Sequence, residues 1–314
     1  MNVLYLDSIA KTPTAETYRY YNGLYDALNR DNNCFLYGKT IRSIREVLSL
    51  CPFKPDVIVF GLGWNSFSEI EGLSDIQTPT IFFVFKPQVN LEDKLGFCVK
   101  HKIRLLLSSI PDYSDYERKT GIETRKFCYA VDEHMFFPRG KKIYDIGFSG
   151  ALHDNQLYQK DAFSTFNIRS RIQKILSQEN SLSTILNGSD SVAPRIKNYD
   201  QYANLMSESR AWFATPAAFG DITPRYFEIP MSGTVLLCSA IPVSYQDIFR
   251  DGDNCVEFKN DLSDFRDRLY YALQNWESIS TKAQTEFAKK HTWSARAEEL
   301  VEIVNKMGNS HASK

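Results

Sequence analysis

Arg225 and Glu228 stand three residues apart in the stretch 221–237, DITPRYFEIPMSGTVLL. That spacing puts a guanidinium and a carboxylate on one face of a short helix. A carboxylate so placed can accept hydrogen bonds from a ribose, and a guanidinium can clamp a phosphate. Thr223 and Pro224 precede the pair as N-cap and first helical residue, favourable chemistry for a helix start. Such a start leaves unpaired backbone N–H groups and a positive dipole end, where phosphate is stabilised. Ser232 and Gly233 stop the helix, and Thr234 opens the apolar run TVLLCS, which reads as a buried strand. The same spacing also suits a solvated or capping glutamate at an ordinary helix-to-strand joint.

Other residues carry weaker signals. Arg169 and Arg171 open a helix expected over 168–178, where two cations oppose the dipole and an anionic partner would offset the cost. Gly61 and Gly63, with Trp64 and Asn65, follow a strand in a G-x-G turn that lacks dinucleotide-fingerprint spacing. Lys86 follows another strand and reads as a solvated lysine, while His101 reads as a surface or capping residue at a helix end. Asp251-Gly252-Asp253 reads as a turn rather than a metal cluster. The six cysteines are scattered without a C-x-x-C pair and read as reduced packing residues.

The elements that position these residues alternate. Apolar strands at 1–7, 33–38, 55–63, 78–86 and 103–111 are separated by helical stretches at 17–29, 42–51 and 91–101. Alternation of this kind predicts a parallel sheet wrapped by helices. Ligands of such sheets bind at the C-terminal ends of the strands, so residues 8–14 and the G-x-G turn are expected to line a cleft. Turn residues and charge replace periodicity near 138–142, which marks a linker, and His134 sits at that seam. The second half repeats the alternation, and 314 residues suffice for two domains. A net charge of −1 gives no basic footprint for nucleic acid, and no apolar run is long enough to span a membrane. The opening MNVLYLDSIAK reads as a first strand rather than a signal peptide, so a soluble, cytoplasmic protein is expected.

R-x-F-E at 225–228, followed by a small residue, Gly233 and an apolar strand, resembles the nucleotide-sugar signature of group 1 glycosyltransferases. Within them it is most similar to the branch typified by the spore maturation protein CgeB. V-D-x-x-x-F-x-P at 131–138, D-x-x-F-x-G at 145–150 and H-T-x-x-x-R at 291–296 extend the resemblance over 129–304. It implies a GT-B fold: two Rossmann-like domains facing each other across a cleft, with the C-terminal helix crossing back to the first. The implied division is an acceptor domain over 1–138, a donor domain over 139–290 and a closing helix with a short tail over 291–314. It further implies transfer of a hexose or pentose from a nucleotide diphosphate sugar to an acceptor hydroxyl of a glycan or glycoconjugate. No permanent cofactor or metal is implied, and anomeric configuration is retained. Inversion would instead require a general base, for which Asp7 and His134 are candidates by position.

Glu228 is implied for the ribose. Arg225, Thr223, Ser149 and Gly150 are implied for the diphosphate, with Arg169 or Arg171 reaching phosphate and Gly233 and Thr234 packed close by. One departure stands out: the family's first glutamate, with seven residues between it and the second, falls on Gly220. Asp221 lies beside it as a displaced substitute. A non-catalytic nucleotide-sugar-binding protein and a nucleotide-sugar epimerase of the same fold are the alternatives.

Overall fold

A computed structural model describes residues 1–7, 15–86, 89–152, 168–189, 196, 198–217, 220–239 and 241–309. Residues 8–14 and Pro87 lie outside that description. The chain divides into two compact units, Met1–Cys128 with Trp293–Lys314, and Tyr129–Thr292. The C-terminal helix thus belongs to the first unit.

In the first unit, strands β1 (Asn2–Leu6), β2 (Asn33–Tyr37), β3 (Val57–Phe60), β4 (Thr80–Val84), β5 (Leu105–Ser108) and β6 (Thr124–Lys126) form one sheet. Its order is β2-β1-β3-β4-β5-β6, parallel throughout. Helices α1 (Ala15–Asp31), α2 (Ile44–Leu50), α3 (Leu91–Lys100) and α4 (Ser114–Thr120) make four of the five crossovers, and the β3–β4 connection carries only a short 3-10 turn at Leu73–Asp75. Strands β1, β3, β4 and β5 are nearly continuous apolar runs because both their faces are covered, whereas β2 and β6 at the sheet edges are only partly buried. The core on one face gathers Leu4, Ile58, Phe60, Phe82 and Leu106 from the sheet with Phe97 and Cys98 from α3.

The second unit winds the same way. Strands β7 (Tyr144–Ala151), β8 (Thr184–Ser189), β9 (Ser209–Ala214), β10 (Val235–Ser239) and β11 (Val256–Phe258) are parallel in the order β11-β10-β9-β7-β8. Helices α5 (Ile168–Leu176), α6 (Tyr199–Ser207), α7 (Arg225–Met231), α8 (Phe265–Gln274) and α9 (Trp276–Lys290) surround it. Two residues force close packing here. Gly147 lies opposite Trp212 in the β7–β9 register, and a Cβ at 147 would collide with that indole. All six cysteines are free thiols, four of them buried.

The last helix, α10 (Trp293–Asn309), packs on α1 within the first unit. The approach is close because Gly23 has no side chain: a Cβ there would run into the buried indole of Trp293. Arg30 also donates to the Ser294 hydroxyl at 2.7 Å. Gly23→Ala gains helix propensity but overpacks this contact, at a cost of roughly 1–3 kcal/mol. The expected outcome is a lower melting temperature in calorimetry, relieved by Trp293→Leu in the same chain.

Candidate functional site

Both sheets reverse their winding at one place, which is where such folds hold ligands. In the second unit that place lies between β7 and β9, beyond their C-terminal ends. Ser149, Gly150 and Ala151 end β7, and Thr215 follows β9. Arg169, at the start of α5, ties the two ends together: its Nε donates to Thr215 Oγ1 at 2.8 Å and its Nη1 to Ala151 O at 3.2 Å. Ser149 is buried, and its Oγ accepts from the Ile196 N–H at 3.2 Å.

Helix α7 descends from this edge and brings Arg225 to its first position and Glu228 one turn in. Glu228 is only 5% exposed. Its carboxylate is held from α6: the Tyr199 hydroxyl donates to Oε1 at 2.8 Å and the Tyr202 hydroxyl to Oε2 at 3.4 Å. Burial pushes the Glu228 carboxyl above its ordinary range, against the opposing pull of Tyr199, Arg225 and Tyr202. Burial likewise raises the Tyr202 phenol.

Arg225 is half-buried, and its Nε donates to Tyr202 Oη at 3.2 Å. The guanidinium lies over the Phe148 ring, 5.9 Å from its centroid. Both terminal nitrogens stand 3.3 Å from the point a Cβ on Gly150 would occupy. Glycine at 150 therefore leaves the guanidinium room against the β7 end. Neither terminal nitrogen donates to any described residue.

The helix start itself differs from expectation. Pro224, not Thr223, is the cap. The Tyr226 N–H bonds Thr223 O at 3.0 Å, and those of Phe227 and Glu228 bond Pro224 O at 2.8 and 2.9 Å. These donors are spent within the first turn and Pro224 has none, so backbone N–H groups offer little to a phosphate. Side chains carry the positive charge instead.

The expected residues divide in three. Arg225, Glu228, Gly150 and Arg169 meet at the β7 and β9 ends, with Ser149 beside them. Gly233 and Thr234 do not join them, because they lie beyond the far end of α7. Gly233 (φ 67°) packs against Pro138, and buried Thr234 donates to Met206 O at 2.7 Å. Lys142 fastens that end by donating to Gly233 O, Ser207 O and Ser209 O at 2.6, 2.8 and 2.8 Å. Arg171 is exposed and turns to Asp261 O at 2.9 Å. Asp221 is buried at 4% exposure, and its carbonyl accepts from the Ala217 N–H at 2.8 Å. Gly220 beside it takes φ 71°, a conformation that disfavours any side chain. Tyr199, Tyr202 and Thr215 complete the cluster, none of them among the site residues implied from the sequence. Two phenols at i, i+3 on one helix face were the available signal.

In the first unit the reversal lies between β1 and β3, where the described residues Tyr5, Asp7, Gly61 and Gly63 pack closely together. Asp7 is fully buried, and its Oδ2 accepts from the Gly63 N–H at 2.9 Å. A Cβ on Gly61 would stand 2.7 Å from that oxygen. The G-x-G turn therefore serves close packing. His101 is not a surface residue: it caps α3, is 4% exposed, and its Nε2 accepts from the Ile70 N–H at 3.4 Å. Burial lowers its pKa, consistent with an accepting imidazole. His134 and Lys86 are exposed. Among the described residues no group of three His, Cys, Asp or Glu side chains is placed to hold a metal ion, and no helix is long and apolar enough to cross a membrane.

Residues 178–302 match a family described as glycosyl transferase-like. No curated protein sequence matches the chain. Among solved structures, a sucrose-phosphate synthase from Thermosynechococcus elongatus superposes with a TM-score of 0.63 at 9% identity, covering 99% of this chain and 100% of that one. Anabaena Alr3699/HepE, in complex with UDP and glucose, gives 0.57 at 12% identity over 97% and 99% of the two chains. AviGT4, a glycosyltransferase involved in avilamycin A biosynthesis, gives 0.56 at 13% identity over 98% of each. The matched segment holds Tyr199, Tyr202, Arg225 and Glu228, whereas Gly150 and Arg169 lie before it. Over nearly its whole length the chain has the fold of GT-B glycosyltransferases, and its glycosyl transferase-like segment lies mostly in the second unit and runs on into α10.

Proposed function

We propose that the chain is a glycosyltransferase whose second unit binds a nucleoside diphosphate sugar and whose first unit takes the acceptor hydroxyl, that of a glycan or glycoconjugate. One observation carries this reading. A half-buried guanidinium, Arg225, keeps its two terminal nitrogens unengaged among the described residues, beside a glycine at a sheet reversal and one turn from the buried carboxylate of Glu228.

A carboxylate has about four acceptor positions, and the phenols of Tyr199 and Tyr202 use two. The remaining two suit the vicinal hydroxyls of a ribose. The guanidinium groups of Arg225 and Arg169 face the charge that builds on a departing diphosphate, the electrostatic role that dominates such reactions. Fixed cations of this kind support a metal-independent transfer. Retention fits as well: the acceptor attacks from the leaving-group face and passes its proton to the departing phosphate oxygen, without a protein base. Asp7, the acid an inverting reaction would draw on, is committed to Gly63 and fully buried. Gly220, at the position of the family's first acid, supports the second reading, a nucleotide-sugar-binding protein without turnover.

A thermal-shift screen of UDP, GDP, ADP and dTDP and their sugar conjugates tests the donor site. UDP comes first because a neighbour of the same fold holds UDP and glucose. Ligand at a hundred times its Kd stabilises by about 2.7 kcal/mol. One nucleotide family is expected to raise the melting temperature of the wild type but not of Glu228→Ala or Arg225→Ala. No shift with any of them would overturn the proposal. Binding with neither transfer nor donor hydrolysis would favour the second reading.

The same carboxylate should show its cost without ligand. Its folded-state pKa is raised, so stability is fullest below the ordinary glutamate value of about 4.3 and is lost as pH rises through the folded value. Glu228→Gln removes that charge. It is expected to melt above the wild type at pH 7 while binding no donor, with the gap closing in acid. A variant melting below the wild type at pH 7 would contradict the desolvation account.

A further inference from the structure

Arg225 and Glu228 are opposite charges three residues apart on one helix, a spacing that ordinarily closes into an ion pair. Here they meet through a third group. Arg225 Nε donates to Tyr202 Oη at 3.2 Å, and Tyr202 Oη lies 3.4 Å from Glu228 Oε2. The direction of the chain is settled by chemistry. A guanidinium only donates and an ionised carboxylate only accepts, so the phenol accepts from Arg225 and gives its proton to Glu228. Tyr199 satisfies the other carboxylate oxygen at 2.8 Å. The Tyr202 ring is fixed independently of its hydroxyl, packed edge-on against Phe136 and Trp212 at 6.1 and 5.8 Å between centroids.

We infer that Tyr202 is a positioning residue that stands between Arg225 and Glu228, keeps them from neutralising each other, and aims the terminal nitrogens of Arg225 at Gly150. The inference rests on the donor-site reading above. An ion pair would spend both groups: the guanidinium would turn toward α7, and the carboxylate would lose acceptor positions to it. With the phenol between them, one anchoring nitrogen is used and two stay directed at the end of β7. Anchoring at Nε also fixes the plane of the guanidinium, which is what a bidentate contact to phosphate requires.

Two measurements on Tyr202→Phe test this. The ring and its packing are kept, and only the hydroxyl is lost. In a ligand-free crystal structure of the variant, Arg225 is expected within ion-pair distance of Glu228; a guanidinium still directed at Gly150 would overturn the inference. In calorimetric titration, UDP is expected to bind roughly tenfold or more weakly to Tyr202→Phe, the scale of one hydrogen bond to a charged group. In an Arg225→Lys background the same change should cost little, because the group being aimed is gone. An equal loss in both backgrounds would mark a general structural role and sink the positioning claim. If the wild type binds no nucleoside diphosphate at all, the donor reading fails, and the crystal structure of Tyr202→Phe alone decides the role of the phenol.

Discussion

The second unit is arranged around one buried carboxylate. Moving an ionised glutamate out of water costs several kcal/mol unless donors replace the lost solvent. Tyr199, Tyr202 and, through Tyr202, Arg225 supply that replacement. Much of the neighbouring structure serves to hold those donors still. Helix α6 presents both phenols on one face, with Phe136 packed against the two rings. Helix α7 has seven residues, with Pro230 inside it, too short to be rigid alone. It is fixed at one end by the Pro224 turn and at the other by Lys142 on the Gly233 carbonyl. Among the described residues no acid pairs with the Lys142 amine, and burial lowers its pKa to about 8. The carbonyl oxygens of Ser207, Ser209 and Gly233 and the Thr234 hydroxyl oxygen accept its hydrogen bonds instead. Gly233 and Thr234 therefore support the site from the far side without touching it.

How much of this was legible in the sequence follows from what each signal depends on. The strands were legible because both faces of each sheet are covered, and runs such as VIVF, TIFFV and VLLCS have no solvent side to interrupt them. Helix α9 carried no comparable signal. Its buried face is the narrow set Ile279, Ser280, Ala283 and Phe287 in an otherwise polar segment, so its position comes from α7 and β10, on which it packs. Helix α4 buries only Tyr116 and was hidden for the same reason. Arg225 and Glu228 were legible because their spacing is local. Tyr199 and Tyr202 were not, since their function is set by a helix 23 to 29 residues away in sequence and aromatic residues on a helix face ordinarily signal core. The helix-start expectation failed for a geometric reason: a tight first turn consumed the N–H groups that an idealised start leaves open.

The two units share one winding and treat its reversal in opposite ways. In each, the strand that opens the unit, β1 or β7, has its successor on one side and the third strand of the unit on the other. In the first unit the described residues at the reversal bond to one another. Asp7 accepts from the Gly63 N–H, and Gly61 is small so that Tyr5 and Asp7 can occupy the space. A carboxylate with no exposure, bonded to backbone, makes that corner rigid rather than reactive. The second unit keeps its crevice supplied with charge. Arg169 bridges the strand ends, and Arg225 stands against Gly150 with nitrogens to spare among the described residues. Leaving donors of a half-buried guanidinium unengaged lowers stability in the absence of a ligand, and such groups cluster where a ligand engages them. The difference between the two reversals is therefore a difference of chemistry, not of fold. It supports the proposal that the second unit takes the anionic donor, on grounds independent of any likeness to other proteins.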